Sequence, residues 1–267
     1  MIALDPETQA PRRYIYVLLD RGDFAIADNW DVVGMQGTGS QHVVVDEMLV
    51  PSHRVLELSG AGMTVLSHQP GRALHKNPLY HGPILPFLFC ELTSVVVGAA
   101  RGALDIYEQI LRERKSILPP FTARVETDEH QHHFGHAQGL IDTAEAALLK
   151  LGSNYMVNAK RAMEGDASKP EEERGFQRMT QQCVELAWEA VDLMFRTAGS
   201  SVAKKTSALA RYFRNLAVIR THITVQLHHT STNVGRLHFG LPPLSTLRFR
   251  LKHLEDAGLI RQFGSLG

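Results

Sequence analysis

Cysteine is almost missing from this sequence. Two thiols, Cys90 and Cys183, are all that 267 residues hold. They lie far apart, each in an apolar, helix-like context. That excludes a disulfide framework and points to structural thiols of a reduced, cytoplasmic protein. Excess charge is also missing. Lys+Arg and Asp+Glu both count 28, so the formal net charge is zero. A nucleic-acid or membrane-surface protein carries a basic excess or stripe, so neither partner is expected. No apolar run reaches about 18 residues unbroken, and no membrane span is expected. No basic flank with an apolar stretch opens the chain, so no signal peptide is expected. There are no internal repeats. What is present suffices for a core: 44% hydrophobic residues, in a length that suits one large domain or two small ones. Histidine, at 14, is the compositional oddity.

The pattern changes period along the chain. Residues 1–58 read as strands. "YIYVLLD" (14–20) is β-rich, and "QHVVVDEMLVP" (41–51) carries a Val run that ends at Pro51. Between them "GMQGTGS" places glycines at 34, 37 and 39. So few strands make a sheet with exposed edges and little core of its own. Residues 59–82 are rich in Gly, Pro and His and read as a long loop with one helical turn. From 83 to 240 the period is helical. "GAARGA" (98–103) offers small residues for close helix approach. Thr127 is the expected N-cap of the next helix, with Asp128 and Glu129 in its first turn. Pro170 opens a third helix, which stops at Gly199. "TSALARYFRNLAVIRTHITVQLHHTSTN" reads as one further helix. Four helices with short connections predict an up-and-down bundle. The fold class is therefore mainly α, a four-helix bundle preceded by a small β-region. The tail, 241–267, is expected to hold one short helix.

The glycine-rich stretch raises the question of a phosphate loop. Its glycines follow G-x-x-G-x-G rather than G-x-G-x-x-G, and no helical pattern comes next, so it does not open a dinucleotide-binding unit. The segments "DNWDVVGMQGTGSQHVVVDEMLVPSHRV", "VGAARGALDIYEQILRERKSI" and "FRTAGSSVAKKTSALARYFRNLAVIRTH" together resemble the acyl-CoA dehydrogenase superfamily. The wording is closest to its two-component flavin-dependent monooxygenases, the oxygenase components that act on phenols, steroid ring phenols or thiophene sulfur. The resemblance covers roughly residues 10–235. It implies that "GMQGTGS" lies inside a β-domain, that this β-domain is truncated here, and that the strand segment stacking on the flavin ring lies before residue 1. The missing part would come from another chain, or the chain would be a fragment.

The resemblance also implies site residues, each with a plainer alternative. Dehydrogenases of the superfamily carry a Glu base eight residues after an Asp on the last bundle helix. Here Asn215 replaces the Asp and Ile223 stands at the Glu position. His222 matches the histidine that the monooxygenases place over the flavin. Its ordinary pKa near 6.5 suits proton management at neutrality; the alternative is an interfacial core histidine. Ala198, Gly199, Ser200 and Ser201 resemble the family's Gly-rich segment that touches the flavin of a neighbouring subunit; the alternative is an ordinary helix C-cap. Arg114, in "ERKSI", resembles the Arg that reaches the flavin phosphate or adenosine part, as a guanidinium fork suits phosphate; the alternative is a solvated helix-end arginine. Trp30, Thr38 and Ser40 border the cleft in relatives; a turn held by its own hydroxyls, with a packed Trp, is the alternative. "HQHHFGH" (130–136) puts His132 and His136 on one helix face, but Glu129 lies on a different face and no facing Glu-x-x-His exists, so no metal is expected; "HH" at 228–229 fares no better.

The implied activity is flavin-dependent monooxygenation. Reduced flavin from a partner flavin reductase, with oxygen, would hydroxylate a small aromatic or heteroaromatic substrate. FMN is favoured over FAD, and a homotetramer is implied. Two other functions stay open: an acyl-CoA dehydrogenase, against which the missing Glu argues, and a non-catalytic truncated paralogue that serves as an assembly or structural subunit.

Overall fold

The computed structural model describes residues 2–4, 11–46, 48–59, 64–65, 70–166, 169–222, 225–242 and 244. Ile223 and nearly all of the expected tail helix lie outside them. Four strands, β1 (Ile2–Leu4), β2 (Pro11–Val17), β5 (Val55–Ser59) and β6 (Thr64–Val65), form an antiparallel sheet in the order β1-β2-β5-β6. Tyr14 pairs with Leu58 and Val17 with Val55 across its centre. Two short strands, β3 (Ala25–Ile26) and β4 (Val43–Val44), pair separately. The Val run at 43–45 thus makes only a two-residue strand, where the sequence predicts a longer one. Val43 and Val44 remain exposed, because among the described residues nothing but β3 pairs with them. The segment 59–82 also holds a short helix, α1 (Pro70–Leu74).

Three long helices follow: α2 (Ile84–Glu113), α3 (Asp128–Met163) and α4 (Pro170–Thr197). Proline sits in the first turn of α4, with three glutamates behind it. The inward stripes recur at three- and four-residue spacing. Val96, Ala100, Leu104, Tyr107 and Leu111 come from α2, Ala137, Ile141 and Ala144 from α3, and Val184, Ala187, Val191 and Met194 from α4. Cys183 is buried in this core and Cys90 is half-buried; both are free, and burial pushes both thiols up to about 11. Gly102 has the packing role its small-residue context predicts, since Tyr212 Oη lies 2.5 Å from where a Cβ would stand. By length and composition α2 could cross a membrane. Its inner face packs on α3 and α4, while Ile84, Leu88 and Val95 stay exposed.

The fourth helix corrects the sequence reading. It is broken into α5 (Ala208–Ile219) and α6 (Leu227–His238). Between them the sequence is "RTHITVQ", rich in β-branched residues that weaken a helix. Gln181 of α4 donates to Gln226 O at 2.9 Å, and Gln226 Nε2 donates to Thr221 O at 3.1 Å. Those bonds replace the helical ladder and hold the break against α4. The expected N-cap at Thr127 is in place, but its hydroxyl bonds Arg124 O (2.9 Å) and His130 Nδ1 (2.7 Å) instead of the first-turn amides.

Candidate functional site

Three local structures receive the residues singled out in the sequence. The first is the 30–40 turn. Met35 adopts φ 56°, and its carbonyl gathers three donors: Trp30 Nε1 at 3.1 Å, Thr38 Oγ1 at 2.8 Å and the Thr38 amide at 3.1 Å. The polar hydrogens of Trp30 and Thr38 are therefore spent inside the turn. Ser40 is exposed. The Met35 amide donates to Asn215 Oδ1 at 2.7 Å. Gly34 lies so close against the Arg214 backbone that any side chain there would collide with it. Asn215 is thus the tether between the β-region and the bundle. Sequence reading noticed Asn215 only as a missing Asp.

The second is the end of α4. Gly199, with φ 92°, terminates the helix, and residues 200–203 form a short 3-10 turn. Two guanidinium groups converge there. Arg114 Nη1 donates to Ser201 Oγ at 2.6 Å and to Ala198 O at 3.4 Å. Arg124 Nη1 donates to Ala198 O at 2.7 Å. Behind them the buried Tyr107 hydroxyl bonds Thr197 Oγ1 at 2.7 Å. Burial raises the Tyr107 phenol above its ordinary value, and the Thr197 bond draws it partly back. Burial, then the nearby positive Arg124, lowers the His130 imidazole. The structure thus brings Ala198, Gly199, Ser201 and Arg114 together, with Ser200 exposed beside them. Arg124 was missed. It lies in "TARVET", and nothing in that polar stretch marks it as buried.

The third is the break after α5. His222 is exposed there, its amide donating to Ile219 O at 2.9 Å. It is presented on a turn, not on a helix face. Arg220 nearby is neutralised by Glu185 at 2.8 Å and lies 5.0 Å over the Trp188 ring. No carboxylate occurs between Arg214 and His222.

These groups do not merge. The α4 end adjoins the start of α5, and His222 follows its finish. Between them in sequence lies α5, twelve residues and roughly 18 Å long. The Met35 turn meets α5 at Arg214 and Asn215, nearer the His222 end. On α3, the His132 and His136 rings stack at 6.1 Å, and His136 lies 3.8 Å from Glu189.

A phosphate fits the α4 end: guanidinium donors, a hydroxyl and a side-chain-free glycine face one turn. His222, exposed on its turn, carries a ring that can accept or donate a proton. The family model described as acyl-CoA dehydrogenase, C-terminal domain, matches residues 91–227. A pigment production hydroxylase of Rhodococcus sp. is 31% identical over 232 residues, which cover 85% of this chain and 57% of that protein. The FADH(2)-dependent resorcinol hydroxylase, oxygenase component, of Rhizobium sp. is 27% identical over 245 residues, covering 90% and 59%. The crystal structure of 3-HSA hydroxylase from Rhodococcus sp. RHA1 superposes with a TM-score of 0.75 at 25% identity, covering 88% and 59%. The chain spans less than two thirds of the length of each of these relatives.

Proposed function

Because this chain belongs to the acyl-CoA dehydrogenase C-terminal domain family, we propose that it serves a flavin-dependent monooxygenase, as the oxygenase component that hydroxylates a small aromatic or heteroaromatic substrate. The observation that carries this reading is the end of α5. From Arg214 to His222 it offers an exposed histidine and no carboxylate. A dehydrogenase that abstracts a carbon-bound proton needs a carboxylate base there, and Asn215 is instead committed to Met35. An exposed imidazole can hold or release a phenolic proton. The names of the hydroxylase relatives support the same chemistry.

In this reading Arg114, Ser201 and Gly199 hold the flavin phosphate, and His222 acts at the substrate end. Bound reduced flavin supplies the oxygen-activating chemistry. With α5, roughly 18 Å long, lying between them in the chain, the phosphate end and the His222 end serve different parts of one extended cofactor or two neighbouring cofactors. The proposal includes a partner flavin reductase and a homotetramer; the exposed apolar Ile84, Leu88 and Val95, on one face of α2, support assembly. The resemblance favours FMN, whereas the resorcinol hydroxylase relative is named as FADH(2)-dependent. The free Cys90 and Cys183 support a cytoplasmic location.

The test titrates the protein with FMN, FAD and their reduced forms, read by flavin fluorescence and analytical ultracentrifugation together. Saturable binding to a tetramer, followed by reductase-dependent hydroxylation of phenols that His222→Ala lowers by about 100-fold, is the expected result. A folded protein that binds none of the four at tens of micromolar, a range set from ordinary cofactor affinities, would refute it.

A further inference from the structure

Arg124 has no part in the proposed function, yet among the described residues it is the one buried charged side chain. It is 6% exposed, and among the described residues no carboxylate pairs with it. Arg101, Arg161 and Arg220, all more exposed, each have a carboxylate partner. Arg124 has only carbonyls. Nη1 donates to Ala198 O at 2.7 Å and Nε to Lys115 O at 3.4 Å. Among the described residues Nη2 has no acceptor. It is also the atom nearest the empty Cβ position of Gly199, at 3.1 Å.

Carbonyls satisfy hydrogen bonds but leave the net charge in place, and a buried uncompensated cation is costly. The C-terminus of α4 offers about half a negative charge. Two guanidinium groups bring two positive ones to it, since Arg114 and Arg124 share the Ala198 carbonyl. The surplus is positive, and like charges held this close repel until an anion joins them. Arg124 also fixes where Arg114 lies. Its amide donates to Arg114 O at 2.9 Å, and Lys115 and Ala123 form a bridge beside it. One residue therefore ties the 114–115 segment to the 198–201 turn.

We propose that Arg124 is the second cation and the positioning residue of an oxyanion site completed by Arg114, Ser201 and the open backbone at Gly199. Its ligand is a phosphate or diphosphate group. That the group belongs to a flavin rests on the function proposed above; the anion site itself does not. A residue that merely capped α4 would be indifferent to anions, which separates the two roles.

The experiment is a calorimetric titration with sodium pyrophosphate of the unmodified protein, Arg124→Lys and Arg114→Lys, alongside FMN and riboflavin titrations. Lysine keeps the charge but carries its three donors on a single nitrogen, so it cannot reproduce the fork that reaches Ala198 O and Lys115 O from different nitrogens and still turns Nη2 toward Gly199. The unmodified protein should bind pyrophosphate saturably, and each substitution should weaken it about tenfold. Pyrophosphate should compete with FMN and not with riboflavin. No saturable pyrophosphate binding, or an unchanged affinity in Arg124→Lys with only a lower Tm, overturns the proposal. Should Arg124→Lys fail to fold, the competition in the unmodified protein decides: displacement of riboflavin as readily as FMN overturns it. Pyrophosphate bound without any flavin sinks the flavin function and leaves the anion site standing. FMN bound equally by Arg124→Lys does the reverse.

Discussion

Removing the Asn215 side chain tests how the β-region is fixed to the bundle. Its Oδ1 accepts the Met35 amide at 2.7 Å across 180 residues of sequence. The Met35 carbonyl in turn gathers Trp30 and Thr38, so one bond anchors a turn that holds itself together. Asn215→Ala leaves the Met35 amide without its acceptor. Met35 is half-buried, so water replaces the bond only in part, and the cost is about 1–2 kcal/mol. For a chain of this size that lowers Tm by roughly 2–8 °C. Asn215→Asp keeps an acceptor oxygen in place and should hold Tm within about 2 °C of the unmodified protein at neutral pH. Differential scanning calorimetry reads the stability. Acrylamide quenching of Trp30, in a Trp188→Phe background, reads whether the turn has loosened. An Asn215→Ala protein with unchanged Tm and unchanged quenching would refute the tether.

Three further outcomes follow from the packing and the charges. Gly102→Ala pushes a methyl against Tyr212 Oη, and should cost about 1–3 kcal/mol in urea unfolding; Tyr212→Phe in the same chain should recover part of it, and no recovery would mean the clash lies elsewhere. Arg161 bonds Asp166 and Glu172 at 2.6 Å each. A bond from Arg161 lowers the Asp166 carboxyl; a bond from the Lys169 amide, then Arg161, lowers that of Glu172. Their contribution is present above the unfolded carboxylate range and lost as pH falls through the folded values, so the Tm gap between the unmodified protein and Arg161→Met should close between pH 7 and pH 3. With both thiols pushed up to about 11, Cys90 and Cys183 should react with Ellman's reagent at pH 8 only on unfolding; rapid labelling of the native protein would contradict the burial.

The sequence by itself determined the helical period of α2, α3 and α4, the proline start and glycine stop of α4, and the small-residue contact at Gly102. Each is local: apolar spacing, a fixed proline φ and a missing Cβ act within a few residues of themselves. It also carried the family's motifs in order, though the meeting of Arg114 with Ala198 and Ser201 across more than 80 residues appears only in the structure. Only the tertiary structure decided the rest. The break between α5 and α6 depends on Gln181 reaching from another helix to Gln226. Asn215 acquires its role from a turn 180 positions away. Arg124 reads as one more polar-loop arginine until the end of α4 closes over it. Burial and long-range pairing are properties of what the chain meets after it folds, and no periodicity in the sequence encodes which side chain will be met.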